Sequence, residues 1–245
     1  MWGGPARQAQ GAPGEEPGYF ALSRDPLVAL VLVLPLLVFY QAGIVLLDFR
    51  IINGADFLTR LVYPRWGLKG LVVMNLSFIA LMLAAIIRLE NRRRFRLSLF
   101  VPLLAESALY AACLGSVIVF VLDRIDVLAV LPQLGGERLT ALVLSVGAGV
   151  NEELVFRLIL LELLVFLFAD FIGLRAGAAL ALAVVLSSLA FAGAHYVGTL
   201  GDLFRLDTFL FRFLAGLIFC GIYKLRSFAV AAWTHALYDI YVLVL

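Results

Sequence analysis

Both histidines of the chain lie in hydrophobic segments, each four residues from a side chain that could assist it. His195 follows Phe191 in Phe-Ala-Gly-Ala-His, and His235 precedes Asp239 in His-Ala-Leu-Tyr-Asp. Residues four apart share one face of a helix, so each pair can meet. Ionisable groups at membrane depth are costly and by default indicate function. The two pairs are therefore candidates for acid–base or oxyanion chemistry, although each alone is also typical of a buried hydrogen bond between helices.

A third polar segment, Asn-Glu-Glu-Leu-Val-Phe-Arg at residues 151–157, interrupts another apolar stretch. Glu153 and Arg157 are four residues apart, so they can pair and offset part of the cost of their burial. Glu152 lies about 100° around the helix and is left without a local counter-ion. An unpaired carboxylate of this kind suits a general base that acts on water. The alternative is a purely structural ion cluster that holds helices together.

The three polar segments fit one active site better than they fit separate structural roles. They lie in different apolar stretches, and the chain has no histidine outside them. A base, an imidazole and a second polar pair are the parts needed to activate water and stabilise a tetrahedral intermediate. Glu152, His195 and His235 could alternatively form a His2Glu zinc set. The sequence His-Glu-x-x-His is absent, which excludes the zinc proteases that depend on it.

The composition indicates that membrane-spanning helices position these groups. Apolar residues make up 64% of the chain, against about 45–50% in an ordinary soluble domain. A spanning helix needs roughly 20 mostly apolar residues, and about seven segments qualify. We therefore predict an all-α, polytopic integral membrane protein with a catalytic cavity between its helices. The predicted spans are approximately 27–47, 68–89, 97–122, 139–168, 176–196, 208–225 and 228–245.

The chain is predicted to form one membrane domain after a short tail. Residues 1–24 are rich in Gly, Pro, Gln and Glu, which predicts a disordered tail, and the transmembrane domain follows at 25–245. The catalytic core would occupy about 139–245. The fourth span is longer than one crossing requires. Gly147 and Gly149 predict a kink or break in it, just before the glutamate pair.

The basic residues predict orientation and location. Positively charged loops tend to stay in the cytoplasm, so the loop between the second and third spans and the N-terminus are both predicted to face inward. Arginine greatly outnumbers lysine, and Ala, Leu and Gly are abundant, which is typical of a GC-rich bacterial genome. The predicted location is thus the bacterial cytoplasmic membrane. The arginines of the charged loop are Arg88, Arg92, Arg93, Arg94 and Arg96.

Taken in order, the three motifs resemble those of the CPBP family, the CAAX-processing and bacteriocin-processing intramembrane proteases. That family has Glu-Glu-x-x-x-Arg, then Phe-x-x-x-His, then His-x-x-x-Asn/Asp, each on a transmembrane helix. Residues 152–157, 191–195 and 235–239 match these motifs in the same order. The spans before Leu139 do not contribute to the resemblance.

The resemblance implies roles for four catalytic residues. Glu152 and His195 would activate the attacking water, and His235 with Asp239 would stabilise the oxyanion. Position 239 departs from the CAAX prenyl proteases, which have Asn there. Because an ionised Asp would repel an oxyanion, Asp239 either stays protonated or acts through His235.

Three further residues would support the site. The resemblance gives this role to Glu153 and Arg157, and Phe191 would be a packing neighbour that orients the ring of His195. The better-understood members of the family also imply a metal-independent glutamate mechanism, so we predict no cofactor. If a metal is used, zinc in the His2Glu set named above is the alternative.

The predicted function is intramembrane endoproteolysis, in which water activated by Glu and His hydrolyses a peptide bond during C-terminal or leader processing. The expected partners are a membrane-embedded or membrane-associated peptide or protein and the lipid bilayer, and no nucleic acid. Two alternatives come from other classes. One is a non-catalytic membrane immunity or binding protein, in which the polar segments are structural. The other is a proton-coupled transporter, in which they relay protons.

Overall fold

The computed structural model describes residues 17–48, 52–90, 95–124, 138–197 and 201–244. Most of the predicted tail, residues 1–16, lies outside the described residues, as do Arg92, Arg93 and Arg94 of the charged loop. The disorder of residues 1–16 and the inward orientation of the N-terminus therefore stay predictions, whereas residues 19–22 of the predicted tail form a short helix.

The described residues are mainly helical. A 3-10 turn, Leu97–Leu99, precedes α4, and two π-helical segments, Glu153–Leu161 and Leu167–Phe171, flank α6. Residues 138–171 therefore form one continuous helix that contains two π-helical segments. The helices are α1 (Tyr19–Leu22), α2 (Pro26–Leu46), α3 (Phe57–Glu90), α4 (Phe100–Arg124), α5 (Arg138–Glu152), α6 (Glu162–Phe166), α7 (Ala176–Ala194), α8 (Leu206–Leu225) and α9 (Phe228–Leu243).

Most of the longer helices have the length and composition of membrane spans. A shorter apolar helix, Phe228–Leu243, and the continuous helix 138–171 complete the set of segments that the sequence predicts. The prediction of an all-α polytopic membrane protein is confirmed. Within the described residues, five helical stretches are long and apolar enough to cross a membrane: Pro26–Leu46, Phe57–Arg88, Leu97–Ile118, Ala176–Ala194 and Leu206–Leu225.

The helix α3 is longer than the predicted span 68–89 because it continues on both sides of a kink. Gly67 has a φ of 57° and a ψ of −152° there. Glycine reaches this region without a Cβ penalty, so the chain can turn sharply and resume a helix. Residues 57–66, which precede the kink, place Thr59 and Arg60 beside the polar residues described below.

The helices α5 and α9 pack closely because α5 presents glycine at their contact. A Cβ at Gly149 would lie 2.6 Å from the carbonyl oxygen of Ala232 and 2.7 Å from the Cβ of Ala236. A Cβ at Gly147 would lie 2.4 Å from Cε2 of Tyr40 in α2. The predicted kink at these glycines is wrong, because α5 stays α-helical through both and widens into a π-helix only from Glu153. Instead, the absence of a side chain at these two glycines lets Tyr40 of α2 and the backbone of α9 approach α5 closely.

Gly149→Ala is expected to lower the Tm of the purified protein. The added Cβ would meet the backbone of Ala232, which cannot rotate away, so α9 must move from α5. Overpacking of this kind costs about 1–3 kcal/mol. Thermal unfolding in detergent measures the change. Gly221→Ala in α8 is the matched control, since its Cβ would enter open space. Equal Tm values for the two variants would contradict this account of the packing.

Candidate active site

Glu152, His195 and His235 converge although they come from three helices. Glu152 is the last residue of α5, His195 follows the last residue of α7, and His235 lies within α9. Oε2 of Glu152 is 3.9 Å from Nε2 of His195 and 4.0 Å from Nε2 of His235. These separations are too long for direct hydrogen bonds. They suit groups that act together on a small molecule between them.

Each imidazole ring is oriented by an acceptor at Nδ1. Nδ1 of His195 lies 2.9 Å from the carbonyl oxygen of Phe191, and Nδ1 of His235 lies 2.7 Å from Oε1 of Glu153. A carbonyl oxygen can only accept, so Nδ1 of His195 carries the proton. Nδ1 of His235 likewise donates to the carboxylate of Glu153. In both rings Nε2 is left facing Glu152.

Glu153 and Arg157 form the predicted ion pair, and both side chains are fully buried. The Nη1 atom of Arg157 is 3.0 Å from Oε1 of Glu153, the same oxygen that accepts from His235. The guanidinium also lies over two rings, with its Cζ 4.3 Å from the centroid of Phe191 and 5.3 Å from that of Phe219. Aromatic faces attract a desolvated cation. The pair therefore anchors His235 from the protein interior.

Phe191 contacts the site through both its ring and its backbone. Its ring meets that of His195 edge to face, with 5.2 Å between centroids, while its carbonyl accepts from the same histidine. These are the contacts of a packing neighbour, and the role of Phe191 in orienting His195 stays a prediction. The sequence did not indicate Phe219, whose ring stacks on His235 with 4.5 Å between centroids. From the sequence alone, an aromatic residue of the site in an apolar helix cannot be distinguished from one that only packs in the core.

Asp239 reaches the same cluster from the next turn of α9. Its Oδ2 atom is 3.6 Å from Nε2 of His235, on the side of the ring that faces Glu152. The structure thus brings together all four residues predicted as catalytic, with the three predicted to support them.

One polar neighbour of Glu152 was missed by the sequence analysis. Asn53, in the loop between α2 and α3, donates from Nδ2 to Oε1 of Glu152 at 3.0 Å. The available signal was the polar stretch Asn-Gly-Ala-Asp at 53–56 between two apolar segments. It resembles an ordinary loop between spans, and no helical spacing links it to the other motifs.

A cavity of about 490 Å³ opens beside Glu152 and His195. It lies between the α2–α3 loop, the start of α3, the first π-helical segment and the residues that follow α7. Arg60 and Asp202 contribute charged groups to its lining. Ligand pockets usually have volumes of about 300–1,000 Å³. The cavity is therefore large enough to receive several residues of a peptide next to the polar cluster.

Glu152, His195 and His235 are also the candidate zinc ligands. Within the part of the chain that the structure describes, no group of three His, Cys, Asp or Glu side chains is arranged to hold a metal ion. The zinc set formed by Glu152, His195 and His235 stays an alternative prediction.

A family model supports the resemblance found in the motifs. The model described as type II CAAX prenyl endopeptidase Rce1-like matches residues 135–241. All seven predicted site residues fall inside this match, and Asn53 falls outside it. The predicted resemblance to the CPBP family is confirmed over these residues, and at the level of the family the match indicates a CAAX-type intramembrane protease. No curated protein and no solved structure matches the chain.

Proposed function

We propose that this chain hydrolyses a peptide bond of a membrane-associated peptide or protein, a function that the match of residues 135–241 to the Rce1-like family model supports. The observation that carries the proposal is the approach of Oε2 of Glu152 to within 4.0 Å of Nε2 of both histidines, beside a cavity. Cleavage would process a C-terminal or leader segment. The substrate and the lipid bilayer are the proposed partners, with neither a nucleic acid nor a cofactor.

Glu152 and His195 are proposed to activate water. Because Nδ1 of His195 donates to Phe191, Nε2 of the neutral ring has a lone pair. A water between them can donate one hydrogen to Oε2 of Glu152 and the other to Nε2 of His195. Its oxygen then attacks the scissile carbonyl carbon while Glu152 takes a proton. The tetrahedral intermediate collapses, the C–N bond breaks, and that proton passes to the leaving amine.

His235 is proposed to stabilise the oxyanion of that intermediate. In the protonated ring, Nδ1–H donates to Glu153 and Nε2–H is available to the oxyanion. The carboxylates of Glu153 and Glu152 together balance the positive charges of the ring and of Arg157. The buried arrangement thereby supplies a donor whose direction is fixed before the substrate arrives.

Asp239→Asn is expected to retain activity. The amide keeps the size of the side chain, and its N–H can donate to the oxyanion without adding negative charge. We expect kcat within about threefold of wild type for Asn and a loss of about 100-fold for Asp239→Ala, the usual effect of removing one oxyanion donor. The assay is cleavage of an identified substrate peptide by protein in liposomes. If Asn were as inactive as Ala, the carboxylate itself would be required through His235.

The cellular location and the substrate class are proposed from the composition of the chain. The abundance of arginine and of apolar residues supports a location in the cytoplasmic membrane of a bacterium. The distribution of the basic residues supports an N-terminus on the inner side. In a bacterium, a prenylated substrate is disfavoured. A C-terminal sorting helix of a surface protein, or a secreted peptide, is then the proposed substrate class.

A comparison of peptide termini tests the proposal. Membrane and secreted fractions from wild-type and deletion cells are digested, and new N- and C-termini are identified by mass spectrometry. We expect termini that are present only in wild type, and these would identify the substrate. Identical termini in cells that express the protein would contradict proteolysis and favour the non-catalytic immunity or binding protein.

A further inference from the structure

The two oxygens of Glu152 have different partners, and one partner comes from outside the family match. Oε1 accepts from Nδ2 of Asn53 at 3.0 Å, whereas Oε2 faces the two imidazole Nε2 atoms. Asn53 is buried, with 8% of its surface exposed. The α2–α3 loop, which precedes residues 135–241, therefore reaches the proposed base directly.

The side-chain amide of Asn53 can face Glu152 in only one orientation. Its Oδ1 atom accepts the backbone N–H of Ala55 at 2.8 Å, which closes a local turn. The NH2 group must then face Glu152, and it can only donate. The carboxylate oxygen Oε1 is thus held by a donor whose own orientation is fixed.

A buried network holds residues 53–56 of the loop in place. The hydroxyl of Tyr40 accepts the backbone N–H of Asn53 at 3.0 Å and donates to Oδ2 of Asp56 at 2.9 Å. Oδ1 of Asp56 accepts the backbone N–H of Thr59 at 2.9 Å. Tyr40, Asp56 and Thr59 are all buried. Satisfied buried networks of this kind rigidify the segments that they join.

The network also contacts α5, the helix that ends with Glu152. The ring of Tyr40 lies against Gly147 of α5, where a Cβ would come within 2.4 Å of Cε2. The absence of a side chain at Gly147 lets α2 approach α5 near the end that carries Glu152. Tyr40 therefore contacts both Gly147 of α5 and the backbone of Asn53, and these two contacts fix Asn53 relative to the carboxylate of Glu152.

We propose that Asn53 is a positioning residue that holds Oε1 of Glu152 so that Oε2 faces both histidines. The catalytic centre is then completed by the α2–α3 loop and is not contained within residues 135–241. This inference rests on the proposed function for its effect on catalysis. Its contact with Glu152 is testable without activity.

The kinetic experiment compares Asn53→Asp with Asn53→Ala. Asp keeps the acceptor for the N–H of Ala55 but places a second carboxyl oxygen against Oε1 of Glu152. Two adjacent carboxyls repel or share a proton, and both outcomes remove Glu152 as a free base. We expect kcat to fall about 100-fold for Asp and about tenfold for Ala, with KM changed less than about threefold, since misplacing a reacting group by 1 Å can cost about 100-fold.

The opposite order of the two variants would overturn the proposal. If Asn53 only closed the local turn, Asp would serve as well as Asn, and Asn53→Ala would be the more damaged variant. Kinetics are measured on the wild-type protein and each variant in liposomes, with the peptide found by the comparison of termini.

A double-mutant cycle tests the contact independently of proteolysis. Tm values in detergent are compared for Asn53→Ala, Glu152→Ala and the double variant. Residues in contact give non-additive effects, so the double variant should lose less than the sum of the single losses, by about 2 °C or more. Asn75→Ala is the matched control, since its Nδ2 donates to the carbonyl of Leu71 and to Oε1 of Gln41 and not to Glu152, so its effect should add to that of Glu152→Ala.

The two experiments separate the two proposals. Additive losses for Asn53 and Glu152 would overturn the positioning role even in an active protease. A coupled pair in a protein that cleaves no peptide would support the contact and refute the proposed function.

Discussion

Glu152→Gln is expected to abolish peptide cleavage and leave the folded protein intact. Gln has the size of Glu, and its amide oxygen can still accept the hydrogen bond that Asn53 donates to Oε1. Its NH2 group, however, cannot accept a proton from water. Loss of a general base lowers rates by about 10²–10⁴-fold. The loss should appear in kcat, because the carboxylate acts on water and not on the substrate chain.

Cleavage by protein in liposomes and Tm in detergent measure the two parts of this expectation. Glu162→Gln is the matched control, because the carboxylate of Glu162 pairs with Lys224 at 2.6 Å and not with a histidine. We expect the control to cleave at the wild-type rate. More than about a tenth of wild-type activity in Glu152→Gln would show that another group takes the proton from water.

Arg157→Ala is expected to lower the yield of folded protein, in contrast to Glu152→Gln. Arg157 and Glu153 are both fully buried, so removal of the guanidinium takes from Glu153 a partner that is always charged. The remaining contact, with His235, neutralises Glu153 only when that ring is protonated. Breaking a buried pair costs about 3–5 kcal/mol, which is a large share of a total stability of about 5–15 kcal/mol. The rings of Phe191 and Phe219 also lose the cation that they cover.

Size-exclusion chromatography of detergent-extracted protein measures the folded fraction. Arg212→Ala is the control, because its pair with Asp202 is partly exposed, and exposed pairs contribute about 0–1 kcal/mol. Adding Glu153→Gln to Arg157→Ala should restore part of the yield, since it removes the buried carboxylate that has lost the guanidinium. A normal yield of Arg157→Ala would mean that the pair does not stabilise the fold.

Much of the helical framework could be predicted because apolar length and helical spacing are local properties. The span predicted at 27–47 is the helix Pro26–Leu46, and the last is Phe228–Leu243. The spacing of four residues likewise anticipated the Glu153–Arg157 pair. Those features depend on residues within one helix, so a single sequence contains the necessary information.

Other features depended on contacts between distant segments. Gly147 and Gly149 suggested a kink, since glycine in a helix is consistent with either a bend or a close approach. Only the neighbours, Tyr40 and the backbone of Ala232, decide in favour of the close approach. Asn53 was missed for the same reason: its partner Glu152 lies on α5, and no spacing rule joins a loop to a helix.

The most direct test of the central claim compares peptide termini in three strains: wild type, deletion, and deletion complemented with Glu152→Gln. Immunoblotting first establishes that the variant reaches the membrane at the wild-type level. We predict termini that are present in the wild-type strain and missing from the other two, which would establish proteolysis and place Glu152 in the chemistry. Termini restored by Glu152→Gln would contradict the account, because cleavage would then proceed without the carboxylate that is proposed to activate water.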